Sequence, residues 1–273
     1  MISEIAQKAR ERVREKKKAL PMRELIELLA VKQEDKELQA RDSGNAKVQQ
    51  RFPFEDALGG TRISFICEIK KASPSQGIIV EEFPYMQIAK EYEMAGAAAI
   101  SVLTEPYYFQ GDDQYLHEIA NQVTVPVLRK DFVVDPYMIY EAKRLGASAV
   151  LLICAILEED TLRESITIAH DLGLSALVET HTELEVEQAV QAGARIIGVN
   201  NRDLKTLEVD LHTTSRLRPL VPKDRLFVSE SGIQTAQDMA QLSRLGVDGV
   251  LIGERLMRSP DKGKILQELM ELV

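Results

Sequence analysis

Apolar residues along the chain fall into short runs that repeatedly follow a helical pattern ending at a glycine. Five such steps occur, at Gly96, Gly146, Gly173, Gly193 and Gly246. A glycine just past the last helical turn suits the left-handed conformation that closes many helices. The short apolar runs that follow are typical of parallel strands covered on both faces. The pattern therefore predicts a series of helix–strand units.

The whole chain shows this alternation eight times. Strands are expected at 63–70, 98–103, 125–130, 148–154, 174–179, 195–200, 225–230 and 248–253. Helices are expected at 84–95, 113–121, 136–145, 159–172, 182–192, 212–218, 235–245 and 261–272. Eight alternating units indicate an α/β protein with a (β/α)8 TIM barrel. A doubly wound open sheet is the alternative, but it more often has fewer strands and a glycine-rich first turn that is missing here.

An N-terminal helical extension precedes the first strand. We expect a single domain over 1–273, with the extension at 1–60 and the barrel at 61–273. An amphipathic helix is predicted at 1–18, a second helix at 22–30 and a polar loop at 39–50. The pattern leaves open whether the extension caps the bottom of the barrel or leans over its mouth.

Composition and charge narrow the possible partners. The chain is 45% apolar and carries a net charge of −9, so it offers no strong positive field for nucleic acid or an anionic membrane. A local pocket can still bind a phosphorylated small molecule. No apolar stretch approaches the ~20 residues of a transmembrane helix, and a cytoplasmic location is expected. Cys67 and Cys154 lie in apolar runs and are expected to be buried, reduced thiols.

Charged side chains recur at the predicted strand ends. Alternation in the first strand places Glu68 and Lys70 on one face, which should point into the barrel. The corresponding polar residues after other strands are Lys130, Glu179, Asn200, Arg202, Glu230 and Ser231. A barrel core is normally filled by Val, Ile and Leu, so charges from several strands at one rim are costly unless they are used. The set predicts an acid–base active site rather than one structural ion pair.

Two glycine-containing turns follow the last two strands, Ser231-Gly232 and Gly253-Glu254. Backbone amides at this rim bind phosphate in many barrels, so these turns predict a phosphate site. Ser73, in the first loop, is a further candidate ligand.

The four histidines show no metal-ligand spacing. We therefore expect neither a metal nor a cofactor, and chemistry that depends on side-chain acids and bases alone. His181 follows a strand end, where a solvent-exposed role is expected.

Seven segments carry a resemblance to a known family. They are CEIKKASPSQGII, LTEPYYFQG, VPVLRKDFVVDPYMIYEAKRLGASAVLLI, ALVETH, IIGVNNRDLKTLEVD, VSESGI and VLIGERLMR. In this order they resemble the strand-end signatures of the indole-3-glycerol phosphate synthase family over roughly residues 50 to 260. The resemblance implies a lyase of tryptophan biosynthesis. Its substrate would be 1-(2-carboxyphenylamino)-1-deoxyribulose 5-phosphate, converted to indole-3-glycerol phosphate, carbon dioxide and water without a cofactor.

The resemblance also implies roles for the strand-end residues. Lys130 would be the acid of ring closure, held in place by Glu179. Lys70 would bind the substrate and serve in dehydration, with Glu68 as the base. The remaining polar wall would be formed by Asn200, Glu230 and Ser231. The phosphate ligands would be Ser73, Arg202, Gly232, Gly253 and Glu254, the last two through backbone amides. The ring of the anthranilate moiety would pack against Tyr107, Tyr108, Phe109 and Phe132.

Two alternatives remain at this point. A sister barrel such as phosphoribosylanthranilate isomerase shares the phosphate rim but works with a Cys/Asp pair. The presence of Lys70, Lys130 and Glu179 argues against this alternative. A non-catalytic phosphate-binding or assembly subunit would be expected to lose the inward charges, and these are present. We expect a monomer or a weak homodimer.

Overall fold

The computed structural model describes residues 1–31 and 51–271. Eight parallel strands close into a barrel in the order of the chain, with the first strand paired to the last. They are β1 Ser64–Ile69, β2 Ala99–Leu103, β3 Val127–Lys130, β4 Ala149–Ile153, β5 Ser175–Thr180, β6 Ile196–Asn200, β7 Leu226–Glu230 and β8 Gly249–Ile252. The predicted (β/α)8 barrel and all eight strands are confirmed. The open-sheet alternative is wrong.

The helices between the strands also follow the prediction. With the N-terminal ones they are α1 Ile2–Ala19, α2 22–31, α3 Pro53–Leu58, α4 Tyr85–Met94, α5 Asp113–Ala120, α6 Tyr137–Leu145, α7 Glu159–Asp171, α8 Glu183–Gln191, α9 His212–Leu217, α10 Ala236–Arg244, α11 Glu254–Arg258 and α12 Lys262–Met270. The five glycines of the repeated step all have positive φ, between 67° and 96°. Their predicted role in closing helices is therefore confirmed.

Alternation along the strands separates two apolar layers. The inner layer includes Ile66, Leu128, Leu177 and Leu251, which fill the barrel. The outer layer includes Cys67 and packs against the surrounding helices. Cys67 and Cys154 are buried free thiols, as predicted. Successive side chains of a strand point to opposite faces. A residue two positions along a strand from an inner-layer residue therefore also faces the barrel axis.

The N-terminal extension contacts both ends of the barrel, each with a different helix. Phe54 and Leu58 of α3 are fully buried against the inner apolar layer, below the start of the strands. Helix α1 instead lies over the mouth, where Met1, Ile2 and Ile5 line the cavity. The two alternatives left open by the pattern therefore both hold. The loop predicted at 39–50 lies outside the described residues.

Helix α3 and a hairpin in the first loop lie outside the predicted elements. Helix α3 has only six residues and begins at Pro53, whose fixed φ suits a first helical turn. A run this short shows too little periodicity to be recognised as a helix. The first loop contains a small antiparallel hairpin, Ala72–Ser73 with Gly77–Ile78. None of the helices within residues 1–31 and 51–271 combines the length and the hydropathy of a membrane span.

Candidate active site

A cavity of about 500 Å3 opens at the carboxyl ends of the strands. Apart from Tyr107 and Tyr108, the residues predicted for the site line it: Glu68, Lys70, Ser73, Phe109, Lys130, Phe132, Glu179, Asn200, Arg202, Glu230, Ser231, Gly232, Gly253 and Glu254. Barrel enzymes build their active sites at this face. The strand ends thus bring together charges that are far apart in the sequence.

The first pair of charges lies at the end of β1. Glu68 and Lys70 both face the barrel axis, and the Lys70 ammonium contacts Glu68 Oε1. Burial alone would raise the pKa of Glu68, but the charges of Lys70 and Lys130 outweigh it and hold that pKa below its usual value. Glu68 is therefore a carboxylate at neutral pH, able to accept a proton.

The second group is built around Lys130, at the end of β3. Its Nζ lies 3.5 Å from Glu179 Oε2 and 3.8 Å from Glu230 Oε2. Burial would lower the pKa of Lys130, but the neighbouring carboxylates, Glu179 first, raise it above its usual value. Lys130 is therefore an ammonium deep in the barrel, where it can donate a proton or stabilise a developing oxyanion.

The carboxyl group of Glu230 differs from that of Glu68. Burial and the charge of Glu179 raise its pKa to about 8, although Lys130 opposes this. Two carboxyl groups that flank the same ammonium, that of Lys130, do not both ionise readily. Glu230 therefore carries a proton at neutral pH, so the site holds ionised and protonated carboxyl groups side by side.

Two glycines make room for the carboxyl groups. A Cβ at Gly198, in β6, would collide with Glu230 Oε1 and lie 3.1 Å from Leu177 Cδ1. A Cβ at Gly253 would collide with Glu68 Oε1 and lie 3.1 Å from Glu68 Cβ. Gly198 was not predicted as a site residue, because nothing in the local sequence shows that a carboxyl group from the next strand packs over it.

We expect Gly198→Ala to displace the Glu230 carboxyl group and lower kcat about 10- to 100-fold, since a shift near 1 Å in a catalytic site can have this effect. The matched control is Gly263→Ala in α12, where the nearest atoms to a new Cβ are 3.6 Å and 3.9 Å away. Steady-state kinetics of both variants test this. An unchanged kcat in Gly198→Ala would show that the position of Glu230 is not critical.

The turns after β7 and β8 form the second part of the cavity wall. Ser231 and Gly232 are consecutive residues with left-handed backbone, at φ 68° and 83°. A Cβ at Gly232 would lie 2.6 Å from Val209 Cγ1, so only glycine fits both the conformation and the space. Gly253 directly precedes α11, whose N-terminus borders the cavity. Exposed backbone amides in such a turn and at a helix start favour an anion.

Polar side chains surround these turns. Arg202 donates through Nη1 to Leu207 O at 2.9 Å, and its Nη2 lies 3.9 Å from Glu254 Oε2. The other oxygen of Glu254 accepts from Arg258 Nε at 3.3 Å. The Glu254 side chain is thus neutralised by two arginines. Ser73 Oγ, in the first loop, lies 3.4 Å from Ser75 Oγ.

A model of the indole-3-glycerol phosphate synthase family matches residues 4–269 of the chain. The chain belongs to this family. It is 47% identical over its full length to the indole-3-glycerol phosphate synthase of Lachnoclostridium phytofermentans, all of which is covered. It is 62% identical over 218 residues to that of Ruminiclostridium cellulolyticum, with 80% of this chain and 84% of the relative covered.

Solved structures show the same fold outside the indole-3-glycerol phosphate synthase family. The 3-hexulose-6-phosphate synthase of Salmonella typhimurium superposes with a TM-score of 0.63, at 14% identity, over 77% of this chain and 98% of that protein. At this identity the likeness concerns the barrel fold alone.

Two of the aromatic residues suggested by the family resemblance lie elsewhere. Phe109 and Phe132 line the cavity with ring centroids 6.1 Å apart, but Tyr107 and Tyr108 do not line it, and Tyr107 is 58% exposed. The reason is a tight turn in which the Glu105 carboxylate accepts the backbone N–H groups of residues 107, 108 and 109. The turn directs only Phe109 inward.

His181 is also placed differently from the expectation. It follows β5, and its side chain is only 12% exposed, with Nε2 3.4 Å from Glu179 Oε1. The sequence showed only that His181 follows a strand end. Its contact with Glu179 depends on α8, which holds the ring from the other side through Glu185.

Proposed function

We propose that this chain catalyses the reaction of its family, converting 1-(2-carboxyphenylamino)-1-deoxyribulose 5-phosphate into indole-3-glycerol phosphate, carbon dioxide and water. The observation that carries the proposal is Lys130, a buried ammonium 3.5 Å from Glu179 and 3.8 Å from Glu230. The Glu68–Lys70 pair lines the same cavity. Acids and bases in one enclosed site are what ring closure followed by dehydration requires.

Ring closure is the first step. The ring carbon that carries the carboxylate attacks the ribulose carbonyl carbon, and the carbonyl oxygen becomes an alkoxide. Lys130 donates a proton to that oxygen, and Glu179 holds the ammonium in place. Carbon dioxide then leaves, and the electrons of the broken carbon–carbon bond restore the aromatic ring. No cofactor is needed, because the ring itself accepts these electrons.

Dehydration completes the pyrrole ring. The new hydroxyl group leaves as water when an acid protonates it and a base removes a proton from the adjacent part of the intermediate. We assign the base to Glu68, whose pKa is held low by neighbouring lysines, and the acid to Lys70. Asn200, Glu230 and Ser231 complete the polar wall, and Glu230, with a raised pKa of about 8, is a further proton source.

Different parts of the cavity wall are assigned to different parts of the substrate. We assign the phosphate to the backbone amides at Gly232, Gly253 and Glu254, with Ser73 and Arg202 as side-chain ligands. The anthranilate ring is assigned to Phe109 and Phe132, whose rings stand 6.1 Å apart. We further propose that the enzyme acts in the cytoplasm on this small molecule, without nucleic acid or membrane, as a monomer or weak homodimer.

The isomerase alternative lacks support from the described cavity. It needs a cysteine at the reacting carbon, but Cys67 and Cys154 are absent from the cavity lining. Burial raises the pKa of both thiols, that of Cys154 to about 12. Neither is therefore an available thiolate.

Purified protein incubated with the carboxyphenylamino deoxyribulose phosphate is expected to produce indole fluorescence and release one carbon dioxide per product. The control is phosphoribosylanthranilate, which should not be turned over. No fluorescence at high enzyme concentration would contradict the proposal, and turnover of the control would favour the isomerase.

A further inference from the structure

His181 and Glu185 form a pair behind the active-site wall. The backbone N–H of His181 donates to Glu185 Oε2 at 2.7 Å, and its ring Nδ1 lies 3.3 Å from the same oxygen. The other ring nitrogen, Nε2, lies 3.4 Å from Glu179 Oε1. The histidine therefore bridges a carboxylate of α8 and a carboxylate of the active site.

The contact between His181 Nε2 and Glu179 Oε1 lies at ion-pair distance, and a proton on one of the two groups makes it favourable. An ionised carboxylate only accepts hydrogen bonds, and a neutral imidazole has one N–H and one acceptor nitrogen. With Nδ1 directed at Glu185, a neutral ring would turn the lone pair of Nε2 toward an oxygen of Glu179. The arrangement is favourable only when Nε2 carries a hydrogen or Glu179 is protonated.

The surroundings of the ring favour the protonated form. Glu179 faces it from β5, Glu185 from α8 and Glu230 from β7, while Lys130 lies on the far side of Glu179. The Cys154 thiol, after β4, donates to Glu185 O at 3.6 Å. Burial would lower the pKa of His181, but the hydrogen bond to Glu185 and the charge of Glu179 raise it above its usual value.

We propose that His181, fixed by Glu185, is a positioning residue that binds one oxygen of Glu179 so that the other faces Lys130. The inference rests on the proposed function, in which Glu179 holds Lys130 for proton donation. Neither His181 nor Glu185 lines the cavity, so they act through Glu179 and not on the substrate. When the shared proton is lost at rising pH, two acceptors face each other, and His181 no longer fixes the orientation of Glu179.

The protonation of His181 is measured directly by NMR, without substrate. The chain has only four histidines, so the spectrum of His181→Gln assigns its signal. We expect its pKa to lie above the usual value of a histidine side chain. Glu185→Gln should lower it by about one unit or more, because an opposite charge at this distance stabilises the imidazolium. The matched control is Glu187→Gln, an exposed carboxylate of the same helix, which should leave the titration unchanged.

The pH dependence of kcat tests the effect on the reaction. A group whose pKa is raised in the folded enzyme keeps its proton up to that pKa and loses it as pH rises further, so His181 contributes to the alkaline limb. Glu230, whose pKa is raised to about 8, also contributes to this limb, so the displacement between variants is decisive. Glu185→Gln should move the limb to lower pH in the wild-type background, but not in a His181→Gln background.

We expect His181→Gln itself to lower kcat about tenfold with little change in KM, because removing a partner that orients a site residue typically has effects of about 10- to 100-fold in metal sites. The inference would be overturned if Glu185→Gln left both the alkaline limb of the kcat profile and the titration of His181 unchanged. Absence of turnover in the wild type would instead contradict the proposed function, and the NMR comparison would still decide whether Glu185 and Glu179 hold the proton on His181.

Discussion

Replacing Lys130 with alanine is expected to lower kcat/KM about 10^2- to 10^4-fold, the contribution typical of a positioned acid or base. The alkoxide formed in ring closure would then lack both its proton donor and the nearest positive charge in the described cavity. The loss should appear in kcat, since the interaction forms only as charge develops on the oxygen. Single-turnover fluorescence with saturating substrate measures this step.

The protein should stay folded without Lys130. Glu230 has a raised pKa of about 8, so it can remain neutral. Glu68 keeps its contact with Lys70, and Glu179 keeps its contact with His181. Circular dichroism and thermal unfolding test this point. Lys90→Ala, on an exposed part of α4, is the matched control and should retain full activity. If Lys130→Ala keeps activity near that of Lys90→Ala, the acid of ring closure is another group, with Lys70 the first to examine.

The fold could be predicted from the sequence because its signals are local. Helix-closing glycines, apolar strand segments and the alternation of side chains along a strand can each be recognised within one helix–strand unit. The presence of eight such units then indicates a barrel. Glu68 points inward because it lies two positions after Ile66, which faces the barrel axis. Charges at the ends of successive parallel strands must then meet at one rim. The charged residues predicted at the strand ends therefore line one cavity.

The features that were missed depend on contacts between distant parts of the chain. The need for glycine at 198 arises from Glu230, on the neighbouring strand. The placement of α1 over the mouth depends on an ion pair in which Arg12 Nη2 lies 2.7 Å from Asp131 Oδ1, 119 positions later. Such pairings have no local pattern, so they follow only from the folded structure.

Helix α1 and strand β3 are joined by a buried ionic cluster centred on Arg129. This guanidinium is fully buried on the outer face of β3, next to Lys130 in the chain. It donates to Asp113 Oδ1 at 2.7 Å and to Glu141 Oε2 at 2.8 Å, and Lys16 of α1 adds a second cation 2.8 Å from Glu141. The cluster holds the helix that covers the mouth against the strand that carries Lys130.

Arg129→Met is expected to lower the free energy of unfolding by about 3–5 kcal/mol at pH 7, because removing one partner leaves buried carboxylates without their counter-charge. Burial would raise the pKa values of Asp113 and Asp131, but Arg129, with Lys16 or Arg12, holds both below their usual values. Stability from such groups is present above their unfolded pKa and is lost as pH falls through the folded pKa. Urea denaturation at several pH values measures the difference between the two proteins.

In the variant these carboxyl groups protonate more easily, so the gap in stability between wild type and Arg129→Met should narrow as pH falls from 7 toward the range where aspartates titrate. The matched control is Arg216→Met, which removes an exposed arginine 2.9 Å from Glu183 and should change stability by less than about 1 kcal/mol. A loss in Arg129→Met no larger than in this control, or a gap independent of pH, would show that the cluster does not stabilise the docking of α1. Because Lys130 directly follows Arg129, a large loss of stability in Arg129→Met should also be accompanied by a lower kcat. No such link between stability and kcat is expected for Arg216→Met.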